Sequence, residues 1–269
     1  MSTLDICVEG ALSPNRLPYP KPPEDYLYLD NENQIYLILD GVSRDRQAGI
    51  YPHPSPAAAV SRLFAEAAAQ TLRAARQVHD PRTALRQAAL AGNRRVKAYN
   101  DPQTWDFLPG TVGIIAIVME DIFHYCYVGD CSGRLVAGGQ VRVFTRSQTQ
   151  LVRAHHREFS ADEIRHCICN NPAHPYGYGV FTGEDEAMDF LEFGQEPLQA
   201  GDVILLATDG LDEFLESDDF TADVPLSAQA LINYAVAQEQ ATPTLKSDDK
   251  AVIVITCRQP YPGVQSFAL

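Results

Sequence analysis

The sequence predicts an α+β fold in which antiparallel strands carry a layer of helices, and three observations predict it. Short runs of apolar and β-branched residues that stop abruptly, Ile35-Tyr36-Leu37-Ile38-Leu39 and Val203-Ile204-Leu205-Leu206-Ala207, read as buried strands. Two stretches with apolar residues at helical spacing follow Ser55-Pro56 and Asp80-Pro81. Two-residue separators, Glu120-Asp121 and Gly138-Gly139, divide further strands in the manner of hairpin turns.

Taken in order, residues 4–10 alternate loosely and form a first strand. Residues 12–23 are rich in proline, which cannot donate to a ladder, and are expected as a loop or extended arm. Residues 26–30 and 35–39 flank Asn31-Glu32-Asn33 as a hairpin. Ser55 supplies a capping hydroxyl and Pro56 a first helical position, and Val60, Phe64, Ala67, Thr71 and Leu72 recur at helical spacing behind them. Asp80-Pro81 repeats the device ahead of Leu85, Ala88, Ala89 and Val96, so the pair suggests a helical layer lying on a sheet.

Strands are expected over residues 112–119, 122–128, 134–137 and 140–145, as one antiparallel meander. The connection from Arg146 to Gly201 is the least readable part. It holds one expected helix over residues 160–167 and the piece Tyr176-Gly177-Tyr178-Gly179; a connection of that length is often functional. The Val203 strand, a helix near residues 226–238 and a last strand over residues 251–257 complete a single domain spanning residues 1–269.

With 45% hydrophobic residues the 269-residue chain can build a sizeable core. Its formal net charge of −14 argues against nucleic acid or an anionic membrane as partner, and is compatible with an acidic cleft that holds metals. The N-terminus lacks the basic and apolar regions of a signal peptide, no apolar run approaches membrane-spanning length, and the six cysteines are scattered. These features lead to the expectation of a cytoplasmic protein with reduced thiols.

Both the Ile35 and the Val203 strands end in Asp-Gly, at Asp40-Gly41 and, one residue on, at Asp209-Gly210. As neighbours in a sheet they would set two carboxylates side by side. Such acids repel and need a cation, and hard ions such as magnesium or manganese prefer oxygen ligands. Asp-Gly is also an ordinary turn signal. Further acids at strand ends favour the ion: Glu24-Asp25 before the Tyr26 strand, Asp130 in Val128-Gly129-Asp130, and Asp248-Asp249 before Ala251-Val252-Ile253-Val254-Ile255.

In this order and spacing, together with Gly110-Thr111 and Ala207-Thr208-Asp209-Gly210-Leu211, the sequence resembles the metal-dependent protein phosphatases of type 2C, in their short bacterial style. The likeness runs from about residue 5 to 257. It implies a four-layer α-β-β-α sandwich of two antiparallel sheets flanked by helices. It also implies two Mn2+ or Mg2+ ions at one edge of that sandwich, with a weaker third. Asp40 resembles the carboxylate bridging both ions, with the Gly41 carbonyl on one of them. Asp209 and Asp248 resemble ligands of the first ion and Glu24 a ligand of the second, while Asp130 matches a position that helps hold the third. Asp40 and Asp209 are thus the acids closest to the chemistry. The implied reaction is direct attack by a metal-bridging hydroxide on phosphoserine or phosphothreonine in a protein substrate, in signalling, by a monomer.

The chain departs from the family pattern in three places. Val42-Ser43-Arg44 stands where many members carry histidine or methionine and two glycines, so no histidine there can protonate a leaving group. Pro20 occupies the place of the arginine that grips phosphate, leaving Lys21, Arg16, Arg44 and Arg46 as substitutes, and Ala251 replaces a threonine. The competing reading is a pseudophosphatase that binds a phosphoprotein or regulatory partner without turnover. A zinc-binding module would rest only on His166-Cys167-Ile168-Cys169 and His174, which lack the repeated pairs of zinc sites. His155-His156 reads as a solvated loop pair.

Overall fold

The computed structural model describes residues 4–17, 21–42, 52–75, 80–222, 224, 226–242 and 247–260. Among these, one sheet runs in the order β1 (Asp5–Ser13), β10 (Lys250–Arg258), β9 (Val203–Ala207), β6 (Ser132–Ala137), β7 (Gln140–Val143). The other runs β2 (Tyr26–Asp30), β3 (Ile35–Val42), β4 (Gly110–Met119), β5 (Ile122–Val128), β8 (Glu192–Pro197). All pairings are antiparallel.

Helices α1 (Pro56–Ala74) and α2 (Pro81–Asn100) cover the outer face of the β2–β8 sheet. Two short helices, α3 (Gln150–Ala154) and α4 (Ala161–Glu163), lie in the long connection. Helices α5 (Asp212–Leu215) and α6 (Ala228–Ala241) pack on the other sheet, completing the expected α-β-β-α sandwich.

The central strands read as continuous apolar runs because both faces are buried. On β3, Ile35, Leu37 and Leu39 pack against α1 and α2, while Tyr36 and Ile38 enter the core between the sheets. On β9 and β10, Ile204, Leu206, Ile253 and Ile255 face that same inter-sheet core, and Leu205, Val252 and Val254 face α6. The expected caps form as well. Ser55 Oγ accepts from the Ala58 amide at 3.3 Å and the Asp80 carboxylate from the Arg82 amide at 3.1 Å.

Three expectations need correction. The strands after Thr111 are not one meander: β4–β5 belongs to one sheet and β6–β7 to the other. Both hairpin turns are as expected, with positive φ at Glu120, Asp121, Gly138 and Gly139. A turn specifies only its own pair, however, and β6 is drawn to the other sheet by pairing with β9. The proline-rich loop starts later than expected, because β1 continues to Ser13 along β10. Strand β8 escaped notice because Glu192-Phe193-Gly194-Gln195-Glu196-Pro197 carries glycine, proline and little apolar alternation, as a sheet-edge strand can. The helix expected over residues 160–167 is a single capped turn, Ser160 and Glu163 forming a capping box, that widens into a π-turn at Ile164–Ile168.

Candidate functional site

Strand alternation aims the first acid. Asp40 follows Tyr36 and Ile38 onto the face of β3 that meets the other sheet. Asp209 leaves the end of β9 through a short 3-10 turn, Asp209–Leu211. The two Asp-Gly strands are therefore not neighbours within a sheet, the one arrangement under which the sequence alone would set their carboxylates side by side. They belong to different sheets, and their acids meet at the mouth of the gap between them.

That mouth is a cleft of about 320 Å³. Glu24, Asp40, Gly41, Asp130, Asp209 and Asp248 all line it, so the structure brings the six expected metal-ligand positions to one cleft. Lys21, Val42, Thr149, Arg153, His156 and Tyr178 complete much of the wall.

The two glycines permit close approach rather than a sharp turn. A Cβ on Gly41 would stand 2.7 Å from both the Cβ and the carbonyl oxygen of Glu24. A Cβ on Gly210 would stand 1.8 Å from the carbonyl oxygen of Asp249. Each Asp-Gly strand end thus lets a second acid-bearing loop close onto it, and any side chain would hold the loops apart.

Hydroxyls and backbone brace the acids from behind. Thr111 Oγ1 donates to the Asp40 carbonyl at 2.9 Å and accepts from Ser61 Oγ at 3.1 Å. Ser55 Oγ, while capping α1, donates to Glu24 Oε1 at 2.5 Å. Thr208 Oγ1 donates to Asp25 Oδ2 at 2.8 Å and accepts from the Ala251 amide at 2.9 Å. Asp249 turns inward, accepting from the amides of Asn15 and Glu24 at 2.8 and 2.9 Å, so it ties down the N-terminal arm while Asp248 faces the cleft.

Two cations stand among the acids. Lys21 Nζ lies 2.5 Å from Asp248 Oδ1 and 4.0 Å from Asp249 Oδ2. Arg153 Nη2 donates to Asp130 Oδ2 at 2.6 Å and to Asp209 Oδ2 at 2.7 Å. Burial works against both charges, but Asp248 in the first case and Asp130 with Asp209 in the second outweigh it and raise both pKa values.

This positive charge is not enough. Removal from water, then the like charges of Asp249, Asp209 and Asp248, hold the Asp25 carboxyl well above the usual range. Burial, then Asp25, Asp209 and Asp130, does the same to Asp40. Asp130 is raised by burial and Asp209, with Arg153 and Thr149 pulling the other way. Asp212, behind them, is pushed up to about 7 by burial and then by Asp209. Burial and, after it, mutual repulsion both favour the protonated acids, and a further cation among them would offset the second.

Among the described residues no three His, Cys, Asp or Glu side chains are arranged to hold an ion as they stand. Several of the acids are turned to protein partners instead. In the 166–174 segment, Cys167 is exposed and Cys169 buried, with Arg165 Nη1 donating to its Sγ at 3.2 Å. His166 stacks on Phe107, and His174 packs beside Tyr176.

Three participants have no signal of their own in the sequence, and a fourth, His156, expected as one of a solvated loop pair, is exposed yet lines the cleft. Asp25 was visible only as the neighbour of Glu24, and its role depends on Thr208 from the other sheet. Thr149, Arg153 and His156 sit in or beside α3, whose five residues are too few to show a helical period. Of the basic residues weighed as phosphate ligands, Lys21 lines the cleft and Arg16 is exposed, while Arg44 and Arg46 lie outside the described residues.

Solved structures share this fold over nearly the whole chain. The Mycobacterium tuberculosis serine/threonine phosphatase PstP/Ppp matches with a TM-score of 0.69 at 19% identity, covering 94% of this chain and 99% of that one. The catalytic domain of PstP in complex with 2 manganese ions gives 0.64 at 20% identity, with 94% and 100% covered. PppA of Pseudomonas aeruginosa, described as a regulatory component of T6SS, gives 0.66 at 15% identity, with 94% and 97% covered. No protein-family model and no curated protein matches the sequence. The architecture is therefore that of the bacterial serine/threonine phosphatases.

Proposed function

We propose that the chain is a metal-dependent phosphatase of the 2C type that hydrolyses phosphoserine and phosphothreonine in proteins. One observation carries the reading: acids from five separate segments of the chain converge on one cleft between the sheets, with more negative charge than Lys21 and Arg153 neutralise. The donors are carboxylates and a carbonyl, which suits a hard divalent ion such as Mn2+ or Mg2+. Asp40, Gly41, Asp209, Asp248 and Glu24 would hold two such ions, and Thr111, Ser55 and the Gly210–Asp249 contact fix the elements that present them. Ions held there would supply an acidified water as nucleophile and would offset charge on the phosphoryl oxygens.

The protein's own groups do the rest. Lys21 is the cleft-lining residue that takes the place of the missing phosphate-gripping arginine, and it must leave Asp248 to do so. Val42 cannot donate a proton, and His156 is the imidazole among the residues that line the cleft. The Lys21 and Arg153 ion pairs also favour a second reading, a pseudophosphatase whose acids are neutralised internally.

Hydrolysis of an aryl phosphate by chelator-stripped protein, with and without Mn2+, decides between them. The enzyme regains turnover with Mn2+, and Asp40→Asn lowers it by several kcal/mol of barrier, about 100- to 1000-fold. Undiminished turnover in excess chelator rules out the metal mechanism. Absence of turnover alongside intact phosphoprotein binding establishes the pseudophosphatase.

A further inference from the structure

Resting on the metal-centre reading, we infer that Arg153 is a tethered cation that fills the position of a divalent ion between Asp130 and Asp209. A single nitrogen, Nη2, donates to both acids, at 2.6 and 2.7 Å, and it engages the Oδ2 of each. An ion shared by those two oxygens would lie about 2.0–2.2 Å from each, in the volume this nitrogen occupies, so one excludes the other. The two acids come from different places, Asp130 from the crossing between β5 and β6 and Asp209 from the end of β9. Without a cation between them they repel, and each is a source of unfavourable charge for the other groups of the cleft.

The arginine is placed for this by its own helix. Thr149 precedes α3, and its Oγ1 donates to the same Asp130 Oδ2 at 2.9 Å. The Arg153 amide donates to the Thr149 carbonyl at 2.9 Å, so one helical turn presents both side chains to one carboxylate oxygen. A guanidinium keeps its charge at any pH the protein survives, and charge-assisted bonds of this kind are the strong ones. The Arg153 side chain is also half exposed, so when it lets go it has water to move into. The consequence is a centre that loads ions at Asp40, Asp209, Asp248 and Glu24 and carries its own cation at the Asp130 corner.

Calorimetric titration of Mn2+ into chelator-stripped protein tests this without reference to turnover. Wild type and Asp130→Asn are expected to bind the same number of ions, because Asp130 already has its cation. Arg153→Gln is expected to bind one more per chain, with a larger Mn2+-induced rise in melting temperature. The added site is expected to vanish in the Arg153→Gln/Asp130→Asn double variant. Equal stoichiometry in wild type and Arg153→Gln overturns the inference while leaving the metal centre standing. Loss of an ion on Asp130→Asn alone also overturns it, and that measurement does not depend on Arg153→Gln folding. No Mn2+ bound by either wild type or Arg153→Gln overturns the metal-centre reading and the inference with it.

Discussion

At the scale of single residues, proton delivery is the step the family pattern leaves open here. In the proposed reaction an alkoxide leaving from phosphoserine needs a proton, and the residue after Asp40-Gly41 is Val42, which has none to give. His156 lines the cleft, and its Nδ1 is 2.8 Å from the Arg153 carbonyl, which leaves Nε2 as the nitrogen to face a substrate. A positioned acid of this kind contributes about 100- to 10,000-fold where the leaving group is poor, and little where it is an acidic phenol. His156→Ala is therefore expected to lower kcat on a phosphoserine peptide by at least about tenfold while changing hydrolysis of an aryl phosphate less than about twofold. Equal losses on both substrates would show that the imidazole positions Arg153 or the loop and transfers no proton.

At the scale of elements, the site exists because an acid-bearing loop can lie against the end of the neighbouring strand in its own sheet. Gly210 is the clearest instance, with the Asp249 carbonyl passing 1.8 Å from where a Cβ would be. Gly210→Ala must push the Asp248-Asp249 segment away, at an overpacking cost of about 1–3 kcal/mol. It should lower the melting temperature and weaken Mn2+ binding together, both read by thermal melts over a Mn2+ series. A drop in stability with unchanged Mn2+ affinity would show that Asp248 tolerates the shift. The sequence made much of this legible. Strong periodicity and caps marked β2, β3, α1, α2 and β4, and the acids at strand ends marked the cleft. What it concealed followed from physical causes. Local turn chemistry cannot say which sheet a hairpin joins, so β6–β7 was misplaced. An edge strand with glycine, proline and a single apolar side chain, Phe193, shows no apolar alternation, so β8 has no signature in the sequence. Side chains that meet only across the gap, Asp25 with Thr208 and Arg153 with Asp209, have no signature in sequence at all.

At the scale of the whole molecule, the excess of acid makes stability depend on pH in an unusual direction. Asp25, Asp40 and Asp130 are raised above their unfolded values by burial and like charge, and Asp212 reaches about 7 for the same reasons. A carboxyl raised on folding binds more protons in the native state than in the unfolded chain. Its contribution is therefore fully present below the unfolded pKa, near 4 by about a unit either way, and is lost as pH rises through the folded value. Metal-free protein is expected to melt at a higher temperature at pH 5.5 than at pH 8, the first value lying inside the roughly 4-to-7 window set by Asp212 and the second beyond its upper limit. Saturating Mn2+ should invert the order, because the ions bind ionised carboxylates, and binding to the native state alone stabilises it. The same melts on Asp40→Asn should show a shallower metal-free pH slope, since one raised carboxyl is gone, and a smaller Mn2+ rise. A metal-free melting temperature that climbs steadily from pH 5.5 to 8 would mean that Lys21 and Arg153 already balance the cluster, and the case for ions in the cleft would fall with it.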